Sequence, residues 1–246
     1  MSYGGSRATL ARRVRAGLLT ALCSTALWTT ASPQSSDDPK AELQHVIGVV
    51  DHTAAGFRAA QANFVWLQYT KVVDETDTQK GTVYFRRSGK QVEMAADISD
   101  PQPPKQVLFT GVKVQVYQPK IDQVTEYNTG KDRAAIESFL VLGFGGSGQE
   151  MLKAYDVTYL SAEKVNGVDT AKLDLVPKSE KARNIFTHIW LWIDLARGVS
   201  VQQQLFQPGG DYRLADYSEI RLNERIPDSA FQLKTTGATK FLSPKG

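Results

Sequence analysis

Cysteine is almost absent from this sequence. Cys23 is the only one in 246 residues, and it lies in an N-terminal segment that we expect to be removed. The mature chain would then hold no cysteine, which excludes disulfides, thiol catalysis and cysteine metal sites. Leu22 occupies the position before Cys23 where a lipid-modified N-terminus requires a small residue, so we predict no lipid anchor there.

Recognisable catalytic and metal-binding patterns are also missing. There are three histidines, and His45 and His52 are seven residues apart, which is too far for shared coordination of a metal on one helix. No G-x-S-x-G motif and no paired-carboxylate motif occurs. We therefore predict no catalytic residue, no metal and no cofactor. An exported hydrolase remains an alternative without named residues.

The chain lacks an excess of basic charge once its N-terminus is set aside. Arg7, Arg12, Arg13 and Arg15 precede a short apolar run, Ala16–Ala26, which is followed by small residues at 29–31. This arrangement is typical of a cleaved signal peptide, and the apolar run is shorter than the ~20 residues that span a bilayer. Removing the four arginines leaves 25 basic against 26 acidic residues. A near-neutral chain without a basic stripe argues against a nucleic-acid partner.

This pattern divides the chain into three parts. We predict a signal peptide at 1–31, a polar tether at 32–38 and a single domain at 39–242, exported to the periplasm. Asp38 and Pro39 begin a helix that we expect to run to about Ala60, with apolar residues at helical spacing along one face.

The segment Asn184–Asn223 predicts three consecutive β-strands. Ile189, Leu191 and Ile193 alternate with aromatic residues, so both faces of the first strand are largely apolar. In the next two strands we place Leu214 on the apolar face and Arg213 on the more polar face. Short strands separated by turn signals elsewhere in the chain favour a barrel or sandwich over βαβ units. The apolar face must be covered by helices, a second sheet or a ligand.

A glycine-rich stretch interrupts the strands. Residues 143–148, GFGGSG, match G-x-G-x-x-G, but a dinucleotide site needs a long following helix and a parallel return strand. Neither is predicted here. We interpret the stretch as a glycine hinge between two short helices, with Phe139 and Leu140 among its apolar neighbours.

Four blocks carry a resemblance to a known family: GTVYFRRSGK (81–90), VLFTGVKVQVYQP (107–119), LDLVPK (173–178) and a tail that ends in NERIPDSAFQL. In this order they resemble the periplasmic carrier of outer-membrane lipoproteins, the LolA-like family. The resemblance implies a mainly β (α+β) fold, an unclosed antiparallel β-barrel with a helical lid over a hydrophobic cavity for acyl chains. It also implies a monomer that meets an inner-membrane ABC-type lipoprotein-releasing complex and an outer-membrane acceptor.

The resemblance assigns one residue a specific role. In the family an arginine of an Arg-Pro pair in the second strand hydrogen-bonds the helical lid and holds it shut, and Arg87 matches that arginine. Ser88 stands at the position of the proline. This leaves room for a related member of the family that binds another lipid.

The predicted function is that of a periplasmic chaperone that binds lipoprotein acyl chains, or a related lipid, and carries them from the inner to the outer membrane. An envelope sensor or scaffold module that binds a protein partner is the alternative. Strand alternation and the covering segment suggest the following cavity lining: Phe64, Trp66, Val92, Met94, Val114, Val116, Phe139, Leu140, Ile189, Leu191, Ile193 and Leu205.

Overall fold

The structure, a computed structural model, describes residues 38–89, 91–128, 130 and 141–244. These residues belong to one unit that begins at Ser36. The predicted signal peptide, all of the predicted tether except Asp38, and the predicted site residues Phe139 and Leu140 lie outside the described residues. Within the described part of the chain, no helix has the length and apolar character needed to cross a membrane.

Twelve strands form one sheet in the order β12-β6-β5-β4-β3-β2-β1-β11-β10-β9-β8-β7. The strands are β1 (Ala59–Thr70), β2 (Glu75–Ser88), β3 (Gln91–Asp100), β4 (Lys105–Phe109), β5 (Lys113–Gln118), β6 (Gln123–Asn128), β7 (Tyr155–Val165), β8 (Val168–Pro177), β9 (His188–Asp194), β10 (Val199–Phe206), β11 (Tyr212–Leu222) and β12 (Lys240–Leu242). All neighbours are antiparallel except β12 and β6. Because β7 and β12 lie at opposite edges, the sheet is unclosed. The predicted fold class is confirmed.

Side-chain alternation gives the sheet one continuous apolar face, which we call the inner face. Phe64, Phe85, Met94 and Leu191 point to it, and each is at most 5% exposed. Since partners in an antiparallel ladder share a face, the register Phe85↔Met94 extends this surface from strand to strand. The opposite, outer face carries Trp190 and Trp192.

Helix α1 (Pro39–Gly56) covers part of the inner face. The Asp38 side chain accepts a hydrogen bond from the Lys40 amide at 3.0 Å and caps the first turn. The helix buries Val46, Ile47 and Val50 against the β8–β9 side of the inner face. It ends four residues before the predicted boundary, because Ala59 already pairs with β2 and begins the sheet.

The structure describes two further helices, both short. Helix α2 (Gly148–Ala154) begins with a capping box, in which Ser147 and Glu150 each accept a hydrogen bond from the other's backbone N–H. Helix α3 (Glu180–Arg183) occupies the approach to β9. The strand that we predicted to begin at Asn184 therefore begins only at His188.

The C-terminal segment crosses the outer face. A 3-10 turn at Asp228–Phe231 places Phe231 over Ala95 and Leu108. The chain then reaches the sheet edge, where β12 pairs with β6. In this described part of the chain, Lys240–Leu242 form the edge strand.

A β-bulge in β11 corrects one face assignment. Ser218 pairs with Asn63 and Arg221 with Gln61, so β11 holds one extra residue, and Glu219 has a positive φ of 49°. The extra residue switches which side chains point inward. Arg213 therefore lies on the inner face and Leu214 on the outer face, the reverse of the prediction.

Candidate ligand cavity

The described elements that cover the inner face do not fill it completely. A cavity of about 700 Å³ lies over β1, β2, β3, β10 and β11. Its apolar lining from the inner face consists of Trp66, Val83, Phe85, Met94, Leu205, Ala215 and Tyr217. Since ligand sites typically measure roughly 300–1,000 Å³ and are mostly apolar, this cavity has the size and character of a small-molecule site.

One end of the cavity is polar. Gln68 and Asp77 are directly paired across β1 and β2, and Arg213 on β11 donates a hydrogen bond from Nε to the Gln68 side-chain oxygen. Lys105 also borders the cavity. Asp77 and Arg213 are exposed. These residues surround the end of the sheet near the β1–β2 hairpin, so the opening is hydrophilic and the interior is apolar.

Residues 141–147 cover the opposite end of the cavity. The ring of Phe144 stacks on Phe85 with centroids 4.6 Å apart and meets Tyr217 edge-on at 5.0 Å. Phe144 is fully buried. The amide of Ser200 donates to the carbonyl of Gly143 at 3.0 Å, so the covering segment is hydrogen-bonded directly to β10.

Glycines are needed where this segment approaches its neighbours. Gly145 has a φ of +85°, and a β-carbon there would lie 2.5 Å from ring atoms of Phe57. Gly143 has a φ of +79°, and its β-carbon would lie 2.4 Å from that of Ser200. Other residues would be strained at both positions. Close packing therefore accounts for the glycines at these two positions. The helix that follows, α2, has only seven residues and leads into the antiparallel strand β7, so the surroundings are not those of a dinucleotide site.

Arg87 joins the covering segment to α1. Its Nε donates to the Phe57 carbonyl at 3.1 Å, and one terminal nitrogen donates to Gly145 at 2.8 Å and to Ala54 at 3.4 Å. Its own amide donates to the carbonyl of Arg58 at 2.8 Å. The guanidinium therefore holds the end of α1 and the glycine segment together at the end of β2.

A second cavity of about 380 Å³ lies behind this junction. It is bordered by α1, the covering segment and α2, and Arg87, Val92, Tyr155 and Ile193 are among its lining residues. The covering segment lines the smaller cavity directly, whereas Phe85 and Tyr217, which Phe144 contacts, line only the larger one.

The structure distributes the predicted lining residues among three environments. Trp66, Met94 and Leu205 border the larger cavity, and Val92 and Ile193 border the smaller one. Four of the remaining described residues belong to the packed part of the inner face: Phe64, Val114, Ile189 and Leu191. Val116 is half-buried and pairs with Val107. Leu191 is fully buried among residues that α1 covers, so it supports the fold beneath the site. Ligand binding by these residues remains a prediction.

Sequence reasoning missed two polar residues in the cavity. Gln203 and Tyr217 belong to the inner face, with 7% and 9% of their surfaces exposed. Burial raises the pKa of Tyr217, and the indole of Trp66, which interacts with the hydroxyl, acts in the opposite direction. Gln203 stands in a run of three glutamines, where alternation predicts that the middle one faces the apolar side.

Among the residues that the structure describes, no three His, Cys, Asp or Glu side chains are grouped to hold a metal ion. The polar groups of the cavity are amides, the hydroxyls of Thr70 and Thr78, a phenol, an indole and the charged side chains of the opening. This arrangement can bind an apolar molecule and hydrogen-bond to its polar parts.

Comparison with known proteins gives a family and several fold relatives. The family model described as outer membrane lipoprotein carrier protein LolA matches residues 55–234. No curated protein matches the chain.

Three solved structures are among those that resemble this chain. An uncharacterized conserved protein from Thermus thermophilus has a TM-score of 0.53 at 10% identity, covering 82% of this chain and 99% of that one. MucB has a TM-score of 0.50 at 12% identity, covering 81% and 64%. The Mycobacterium tuberculosis lipoprotein LppX has a TM-score of 0.47 at 13% identity, covering 77% and 99%.

Proposed function

Because this chain belongs to the family of the outer membrane lipoprotein carrier protein LolA, we propose that it is a periplasmic chaperone for acylated cargo. Proteins of this family are typically periplasmic and act by binding and carrying. The proposed cargo is the acyl chains of a lipoprotein, or of a related lipid, which the protein carries from the inner to the outer membrane.

The apolar cavity of about 700 Å³ is the observation that supports this proposal most directly. Burial of a hydrocarbon chain contributes about 0.8 kcal/mol per CH₂ group, so an acyl chain gains affinity without any catalytic group. A water-soluble carrier needs such a shielded site because its cargo is insoluble in the periplasm. The polar opening at Asp77 and Arg213 suits the end of a lipid that remains in water.

Release of cargo would depend on the segment that covers the cavity. Phe144 and a bound chain would compete for the space beside Phe85 and Tyr217, so a closed cover favours the empty state. Arg87 stabilises the closed arrangement through its bonds to Gly145 and α1. We therefore assign Arg87 the role of a latch whose bonds must break for loading and form again on release.

Purification of the mature protein from envelope fractions, followed by extraction and mass spectrometry of bound lipid, tests the proposal. A carrier is expected to yield acylated species and to bind a fluorescent fatty-acid analogue that lipoprotein acyl chains displace. The result that would overturn it is an empty protein that fails to bind the analogue after delipidation.

The same experiment separates the alternatives. An envelope sensor or scaffold would be purified without lipid and with a stoichiometric protein partner. A hydrolase would release fatty acid from an ester substrate. The inner-membrane ABC-type releasing complex and the outer-membrane acceptor are the partners that the carrier function requires, and cross-linking in envelope preparations would capture them.

A further inference from the structure

The larger cavity contains a polar site in its apolar wall. Gln203, Ala215 and Trp66 lie side by side on β10, β11 and β1, because Gln203 pairs with Ala215 and Ala215 with Trp66. Tyr217 is the next inner-face residue along β11. The small side chain of Ala215 leaves space between the amide on one side and the indole on the other, and all four residues line the cavity.

The amide of Gln203 is only partly used by the protein. Its nitrogen donates to the carbonyl of Leu142 in the covering segment at 2.7 Å. Among the described residues, its carbonyl oxygen Oε1 has no hydrogen-bond partner. No fully buried side-chain nitrogen or oxygen of these residues lacks a partner, so Oε1 is accessible from the cavity and not sealed in the core.

A hydrogen-bond acceptor in an apolar cavity wall is unfavourable unless a donor pairs with it. Gln203 is more than nine-tenths buried, and a buried acceptor without a donor loses the hydrogen bond that water would give it. A saturated hydrocarbon chain has no donor, and an ester has none either. A plain acyl chain that displaced water from this site would leave Oε1 unpaired.

We propose that the cavity selects an acyl chain that carries a hydrogen-bond donor in its buried part, which donates to Oε1 of Gln203 beside the Tyr217 hydroxyl. This inference rests on the proposed carrier function and specifies its cargo. A hydroxyl on the chain and the N–H of an amide-linked chain share this chemistry.

Displacement of a fluorescent fatty-acid analogue from the delipidated protein tests the proposal. Four competitors of equal chain length are compared: hexadecanoic acid, 3-hydroxyhexadecanoic acid, hexadecanamide and methyl hexadecanoate. 3-Hydroxyhexadecanoic acid is expected to bind about 2- to 12-fold tighter than hexadecanoic acid, the range for one net hydrogen bond. The same range is expected for hexadecanamide relative to methyl hexadecanoate. Preference for the hydroxy acid alone would identify a hydroxylated chain, and preference for the amide alone would identify an amide-linked one.

Matched variants test whether Gln203 causes the preference for donor-bearing ligands. Gln203→Leu is expected to remove it, and Gln204→Leu, its neighbour on the outer face of the same strand, is expected to retain it. Tyr217→Phe deletes only the hydroxyl and is expected to reduce the preference, which keeps the test valid if Gln203→Leu does not fold. Equal affinity of all four ligands for the wild type would overturn the inference and indicate that water satisfies Oε1. Failure of all four to displace the analogue would instead count against the carrier function.

Discussion

Arg87 on the second strand donates a hydrogen bond to the backbone carbonyl of Gly145, 58 residues later in the chain, at 2.8 Å. The same guanidinium reaches two carbonyls at the end of α1. One side chain thus connects the sheet, the first helix and the segment that covers the cavity. An arginine can do this because it carries five donors in a fixed planar arrangement.

Replacement of Arg87 by leucine is expected to release the cover. The loss of its hydrogen bonds should destabilise the closed arrangement by about 1.5–3 kcal/mol, the usual scale for bonds to a charged group. Hydrogen exchange of the Phe144 amide, which bonds to Val141 in the closed cover, should become faster. Cargo loading should be favoured and transfer to the acceptor slowed.

Arg86→Leu is the control for this substitution. Arg86 lies on the outer face, where it bonds to Glu93 at 2.8 Å and packs over Phe231 at 4.1 Å. Its loss should loosen the C-terminal segment and leave exchange at Phe144 unchanged. Equal exchange and equal cargo transfer in the two variants would contradict the latch.

Gly145→Ala tests whether the cover needs a left-handed residue at this position. The positive φ costs a non-glycine residue about 1–2 kcal/mol, and the added methyl group would collide with the Phe57 ring. The midpoint of denaturant unfolding should fall, or the cover should detach locally. Gly146→Ala is a matched control, since its β-carbon would meet only Val141, at 3.6 Å. Similar stability of the two variants would refute this account.

Ala215→Leu is expected to fill the cavity from its wall. Ala215 lies between Gln203 and Trp66 and borders the void, so a larger side chain can enter space that is now empty. The affinity for a fluorescent fatty-acid analogue should fall at least several-fold with little loss of stability. Ser218→Leu adds the same side chain at an exposed position of β11 and serves as the control. Undiminished binding by Ala215→Leu would show that the ligand sits elsewhere.

Acid is expected to detach the C-terminal strand. Hydrogen bonds from the hydroxyls of Thr236 and Thr239 lower the pKa of Asp122, whose backbone carbonyl also accepts from the amide of Lys240. A lowered folded pKa means that the stabilisation is complete above the unfolded value of about 4 and is lost as the pH falls through the folded value. Limited proteolysis near residue 240 should therefore accelerate below about pH 4. An Asp122→Asn variant should lose this dependence, and a pH-independent rate in the wild type would contradict it.

The mature protein is expected to begin near Ser32. The four N-terminal arginines, the short apolar run and the small residues at 29–31 motivate this cleavage site. Intact-mass measurement on envelope fractions would establish the N-terminus directly. A lipid adduct on Cys23 would be incompatible with this prediction.

The sequence alone was sufficient for several features of the fold and site. Alternation in β9 correctly placed Ile189, Leu191 and Ile193 on one apolar face, because successive strand residues point to opposite sides. The order of the four sequence blocks indicated the family and singled out Arg87, which the structure places against the cover. Alternation is read from neighbouring residues and the family pattern from the order of blocks along the chain, so neither depends on which segments pack together.

Only the tertiary structure decided which part of the inner face borders empty space. Alternation gives the same face to Leu191 and Met94, yet α1 covers the first and the larger cavity opens beside the second. The bulge at Glu219 reverses Arg213 and Leu214 and depends on pairing with β1. Gln203 became a candidate contact because its side-chain nitrogen donates to Leu142, 61 residues earlier in the chain, while its oxygen has no partner among the described residues. Each of these outcomes depends on which distant segments pack over a strand, and alternation within the strand carries no information about that.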